Sequence, residues 1–137
     1  MKIAVVGSRG ITDYEYVKDM LMQALVDQGL KHDTCVIISG GAKGVDTLAK
    51  KFAEETKTDF VLFKPYHLID NKEPYRPRFF FSRNKQIADN ADVVLIFWDG
   101  KSSGTAHMVN YCKHKKKQHY IYYPFENALA VTTVMKN

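Results

Sequence analysis

The stretch Ile38-Ser39-Gly40-Gly41-Ala42-Lys43-Gly44-Val45-Asp46 carries the decisive pattern. An apolar run closes, small residues follow, and helical spacing begins at Val45. Strand, glycine loop, helix is the signature of a βα unit whose loop lies at the carboxyl end of a strand. Glycine lets the backbone turn through positive φ and come close to a ligand. The helix behind the loop adds unpaired N–H groups and a partial positive charge, a combination that suits phosphate. Lys43 adds a mobile cation. The spacing G-x-x-x-x-G-K-[ST] is absent, so this is not a Walker A loop. Read without a ligand, the segment is a tight βα turn in which Asp46 complements the helix dipole.

The pattern repeats on both sides of this stretch. Apolar runs at 2–6, 34–38, 59–63, 92–98 and 119–123 read as strands. The second, third and fourth are nearly continuous in Val, Ile, Leu and Phe, which predicts strands covered on both faces. Helical spacing predicts helices over 14–28, 44–57, 78–90 and 105–117. Asp13 is placed to cap the first of these and Gly29 to end it. The alternation predicts an α/β, Rossmann-like three-layer sandwich, with a mainly parallel sheet of about five strands flanked by about four helices. The segment 64–77 holds Pro65, Pro74 and Pro77 and reads as a long loop. Residues 1–125 read as one domain and 126–137 as a short, weakly patterned tail.

The chain has 137 residues, 45% hydrophobic and 26% charged, the profile of a soluble globular domain. No apolar run reaches the roughly 20 residues that a membrane span needs. The N-terminal run is too short for a signal peptide. Cys35 and Cys112 form no C-x-x-C pair, and reduced thiols in a cytoplasmic protein are expected. The histidines show no metal-ligand spacing, so neither a metal nor a cofactor is called for. A formal net charge of +5 and a pI near 9.1 favour an anionic partner, whether nucleotide, phosphate or nucleic acid.

Two further strand ends resemble the first. Gly7-Ser8-Arg9-Gly10 closes the first strand and is not a G-x-G-x-x-G fingerprint. Asp99-Gly100-Lys101-Ser102-Ser103-Gly104-Thr105 closes the fourth, with Ser102, Ser103, Thr105 and nearby amides able to donate to phosphate oxygens. A parallel sheet puts all of these loops on one edge. Arg83-Asn84 offers a guanidinium fork for phosphate and an amide for a base or ribose, or else a solvated polar pair. Lys113-His114-Lys115-Lys116-Lys117 reads as cations complementing a helix C-terminus, with a nucleic-acid patch as the alternative. Trp98 and Phe79-Phe80-Phe81 read as core or dimer contacts, with base-stacking platforms as the alternative.

As an ordered set, Val6-Gly7-Ser8-Arg9, Ser39 to Asp46, Arg83-Asn84-Lys85-Gln86 and Phe97 to Met108 resemble the SLOG superfamily, named from the Smf/DNA-processing proteins and the Lonely Guy enzymes. The YspA/YpsA-related branch is the nearest in pattern. The resemblance implies a nucleotide-derived ligand at the carboxyl edge of the sheet. The residues carried over to that site are Gly7, Ser8, Arg9, Gly40, Gly41, Ala42, Lys43, Gly44, Asp46, Arg83, Asn84, Asp99, Gly100, Ser102, Ser103, Gly104 and Thr105, with Ser39 at the head of its loop. It also implies pairing as a homodimer and a setting among mobile elements and phage conflict. Lonely Guy enzymes cleave an N-glycosidic bond with a glutamate in G-G-x-G-T-x-x-E. Met108 holds that position here.

Three functions follow as expectations. The first is a module that senses or sequesters a nucleotide-like ligand, which needs only the loops, Arg9, Lys43 and Arg83. The second is a phosphoribohydrolase-type enzyme, which would need Asp99 or Asp46 to replace the missing glutamate. The third is single-stranded DNA binding, which needs an extended basic groove with stacking aromatics.

Overall fold

The computed structural model describes residues 1–31, 34–40, 43–63, 77–123 and 132–135. Its strands are β1 (Lys2–Gly7), β2 (Val36–Ser39), β3 (Asp59–Leu62), β4 (Val93–Phe97), β5 (His119–Tyr122) and β6 (Thr132–Met135). Its helices are α1 (Tyr14–Asp27), α2 (Val45–Thr56), α3 (Pro77–Asn90) and α4 (Ser103–His114). They form one sheet in the order β3-β2-β1-β4-β5-β6. The first five strands run parallel, with Ile3 of β1 opposite Ile37 of β2 and Val93 of β4. β6 pairs antiparallel with β5, Tyr120 opposite Val134.

Alternation along β1 divides the core into two layers. Ile3 and Val5 face a cluster with Val17, Leu21, Phe52 and Leu95, on the side of α1 and α2. Ala4 and Val6 face Ile38, Ile87, Ile96 and Met108, on the side of α3 and α4. Each large apolar side chain so buried contributes about 1.5–3 kcal/mol of transfer free energy. Helix ends follow local chemistry. The Asp13 carboxylate accepts the Tyr16 N–H at 3.1 Å to start α1. Gly29 at φ 67 ends it, with Leu30 N–H returning to the Leu25 carbonyl at 2.8 Å.

Some expectations need correction. β3 is not covered on both faces: it closes one edge of the sheet, and Val61 and Leu62 are 43% and 39% exposed. α4 begins at Ser103 and ends at His114, because Lys115 and Lys116 form a turn with Lys116 at φ 55. The 126–137 segment contributes an edge strand, β6, that its weak apolar pattern hides. The expected loop over 64–77 lies outside the described residues except for Pro77, which opens α3. Proline suits a first helical position, where its missing N–H is not needed.

The sheet order puts a topological switch between β1 and β4. β1 connects through α1 toward β2 on one side, and β4 connects through α4 toward β5 on the other. The loops leaving their carboxyl ends therefore diverge and leave a crevice, the place where open α/β sheets bind ligands.

Candidate functional site

Backbone closeness comes first. Gly7, the last residue of β1, has no room for a side chain: a Cβ would meet the Phe97 carbonyl and, at 2.7 Å, the Val45 side chain. Gly44 stands at φ 80, and a Cβ there would lie 2.6 Å from the carbonyl oxygens of Ser8 and Arg9. The start of α2 thus lies directly against the loop after β1. These glycines are needed for loop-on-loop packing, which at Gly44 replaces the close ligand approach expected from its loop.

Side chains then fasten the loops to one another. Ser8 is buried, and its N–H donates to the Phe97 carbonyl at 2.9 Å. Its hydroxyl accepts the Asp99 N–H at 3.1 Å and lies 3.3 Å from the Thr105 hydroxyl. Arg83, also buried, donates through Nη1 to the Gly40 carbonyl at 2.5 Å and through Nε to Asn84 Oδ1 at 3.3 Å. Asn84 Nδ2 donates onward to the Gly104 carbonyl at 3.3 Å. Asp46, in the first turn of α2, accepts the Gly40 N–H at 3.2 Å. Three strand ends and α3 are so held in one frame.

Asp99 fixes the approach to α4. Its Oδ1 accepts the N–H groups of Lys101 and Ser102, each at 2.8 Å, and its Oδ2 accepts the Ser102 hydroxyl at 2.7 Å. Partial burial pushes its carboxyl up, but these bonds and the Ser8 hydroxyl outweigh that and hold it down to about 2. Ser102 makes no side-chain cap to the helix. The Ala106 N–H is the first in α4 to find the helical partner, the Ser102 carbonyl at 3.0 Å. Among the described residues, the N–H groups of Ser103, Gly104 and Thr105 have no acceptor, the usual state of a helix start.

These groups surround a pocket of about 480 Å³ at the β1/β4 switch. Of the residues singled out from sequence, Gly7, Ser8, Arg9, Asp46, Arg83, Asn84, Ser102, Ser103, Gly104 and Thr105 line it. Ser39, Gly40, Lys43, Gly44, Asp99 and Gly100 do not; Ser39 spends its hydroxyl on the Val5 carbonyl at 2.6 Å, and Lys43 is exposed. Gly41 and Ala42 lie outside the described residues. The lining also includes Val6, Phe81 and Met108. Phe81 lies three residues before Asn84 and Met108 three after Thr105, a helical spacing that puts each pair on one face and was the available signal.

The charge in the pocket is mostly positive. Burial lowers the Arg83 pKa from its ordinary value, Asp46 opposes that shift, and Arg9 adds to it. Arg9 and Arg83 therefore feel each other across the pocket, with Asp46 as a partial counter-ion. Asp46 is the one carboxylate among the described lining residues, and Met108, 1% exposed, offers no charge. Among the described residues no group of His, Cys, Asp and Glu is arranged to hold a metal ion. None of their helices is long and apolar enough to cross a membrane.

Residues 1–67 match the family model described as YAcAr: YspA, cpYpsA-related SLOG family. No curated protein gives a significant match. Among solved structures, DNA processing protein A (DprA) from Streptococcus pneumoniae is similar at TM-score 0.70 and 22% identity over 88% of this chain. The chain spans half, 50%, of that protein's length. DNA processing protein A from Helicobacter pylori, solved for its single-stranded DNA binding mode, is similar at TM-score 0.67 and 23% identity, covering 93% of this chain and 67% of that one. The structure of TM1055 is similar at TM-score 0.59 and 22% identity, covering 86% and 71%. At such identities these likenesses concern the fold.

Proposed function

We propose that the chain, whose residues 1–67 match the YspA, cpYpsA-related SLOG family model, binds a nucleotide-derived phosphate ligand at the β1/β4 switch, as a sensing or sequestering module. The observation that carries this reading is the convergence of Arg9, Arg83 and three acceptor-less amides, those of Ser103, Gly104 and Thr105, on one pocket. Oriented amides at a helix start and a guanidinium pair supply both hydrogen bonds and positive potential for a phosphate. The frame that holds them is made of hydrogen bonds within the protein, which limits the ordering that opposes binding.

The hydrolase reading depends on a carboxylate able to stabilise a cationic sugar centre. Asp99 does not line the pocket, and its oxygens are spent on the loop that it staples. Asp46 does line it, but it accepts the Gly40 N–H and balances Arg83. With Met108 at the glutamate position of the Lonely Guy motif, binding without cleavage is favoured. The DNA reading takes support from the likeness to the Helicobacter pylori protein.

Thermal melts with AMP test the proposal. Wild type rises in Tm with AMP, and Arg9→Ala, compared with its own ligand-free melt, loses most of that rise. Equal stabilisation of both proteins would overturn the site. Free adenine released by wild type would move the assignment to the hydrolase. Binding to an oligonucleotide that weakens steeply with salt, with no response to AMP, would move it to DNA.

A further inference from the structure

We infer that the pocket has a second, aromatic-recognition subsite at Phe81, which stacks a flat nucleobase while the arginine end holds phosphate. The inference rests on the pocket reading above and adds which ligands it selects. Phe81 lines the pocket from the first half of α3. Its ring is stacked on His107 of α4, with centroids 4.3 Å apart and an interplanar angle of 23°. His107 does not itself line the pocket. One face of Phe81 is therefore backed by an imidazole, which holds the ring in place where it lines the pocket.

The surroundings are chosen for a ring and not for a sugar. Val6 and Met108, which belong to one apolar cluster, also line the pocket. His107 Nδ1 is buried without a hydrogen-bond partner, and burial, aided by Lys85, lowers the His107 pKa. A neutral imidazole keeps the backing of Phe81 uncharged. Asn84, the lining amide closest in sequence, is already occupied at both ends, by Arg83 Nε and by the Gly104 carbonyl. Recognition at this end therefore falls to ring contact, which tolerates any base because every base has a π-face.

The experiment is a fluorescence titration with AMP, ribose 5-phosphate and inorganic phosphate, read from Trp98, the chain's single tryptophan. Its indole donates to the Ser102 carbonyl at 3.2 Å, at the pocket rim. Wild type is expected to bind AMP about tenfold or more tighter than ribose 5-phosphate, the usual scale of one base stack. Phe81→Ala removes that preference and leaves ribose 5-phosphate affinity unchanged, while Phe81→Tyr keeps it. Equal affinity of wild type for AMP and ribose 5-phosphate overturns the subsite and leaves the phosphate site standing. A loss in Phe81→Ala that is the same for both ligands also overturns it, since that marks a merely structural side chain. No binding of any of the three overturns the pocket reading and this inference together.

Discussion

The Arg83 guanidinium donates to the Gly40 carbonyl at 2.5 Å, joining residues 43 positions apart in the chain. This contact sets the arginine's place in the pocket, and Gly40 makes room for it. A Cβ on Gly40 would run into the guanidinium, the mobile end of a flexible side chain. Gly40→Ala is therefore expected to displace Arg83, which is buried and fastens the loops, at a cost of roughly 1–3 kcal/mol in stability. AMP affinity should fall about tenfold, the scale of one lost charge-assisted hydrogen bond, with a lower Tm of the free protein. Calorimetric titration beside a thermal melt checks both halves.

Gly44→Ala should act on stability through the backbone. Here the obstacles are the backbone carbonyls of Ser8 and Arg9, which cannot swing aside, and φ is 80. Strain and clash together predict a loss of roughly 2–4 kcal/mol. Urea unfolding measures it. A variant as stable as wild type would show that α2 does not press on the β1 loop.

Asp99 gives the protein an acid-sensitive loop. Its carboxyl is lowered from the ordinary 3.8 to about 2, so folding favours its ionised form. For a depressed carboxyl the stabilisation is complete above the ordinary value and is lost as pH falls through the folded one. The Tm advantage of wild type over Asp99→Asn should be present at about pH 7 and vanish between about pH 4 and pH 2. The group is partly solvated, so the advantage should be small. A gap that persists below this window would assign the Asp99 effect to something other than its charge.

The two thiols should be silent in the folded protein. Cys35 and Cys112 are both buried, and burial pushes the Cys112 thiol up to about 12 against the opposing pull of Lys117. Thiolate is the reactive form, so a disulfide reagent should label neither residue natively and both in denaturant. Rapid native labelling would mean that α4 or the start of β2 opens readily.

Much of this arrangement could be read from the chain because its signals are local. Val17, Leu21, Ala24 and Leu25 mark the inward face of α1, and the glycine and hydroxyl residues after β1, β2 and β4 mark one edge of the sheet. What could not be read depends on pairing. The continuous apolarity of β3 resembles that of β4, yet β3 is an edge strand and β4 is buried throughout, because strand order is a property of the whole sheet. Lys115 and Lys116 suit a helix as well as the turn they form. From sequence Phe81 reads as a core or dimer contact or as a stacking platform, and only its position on α3 relative to the crevice decides between them. The roles of Gly7 and Gly44 were hidden for the same reason: their neighbours come from other loops.

The β1–β4 junction also governs how the molecule is made. Ile3 cannot meet Val93 until most of the chain is available, and non-local pairings of this kind are slow to close. The Arg9 wall and the Gly104 wall belong to opposite sides of that seam, so no partly folded half possesses a binding crevice. A ligand seated there would act as a rivet across the two halves, found only on finished molecules and slowing their return to the unfolded chain.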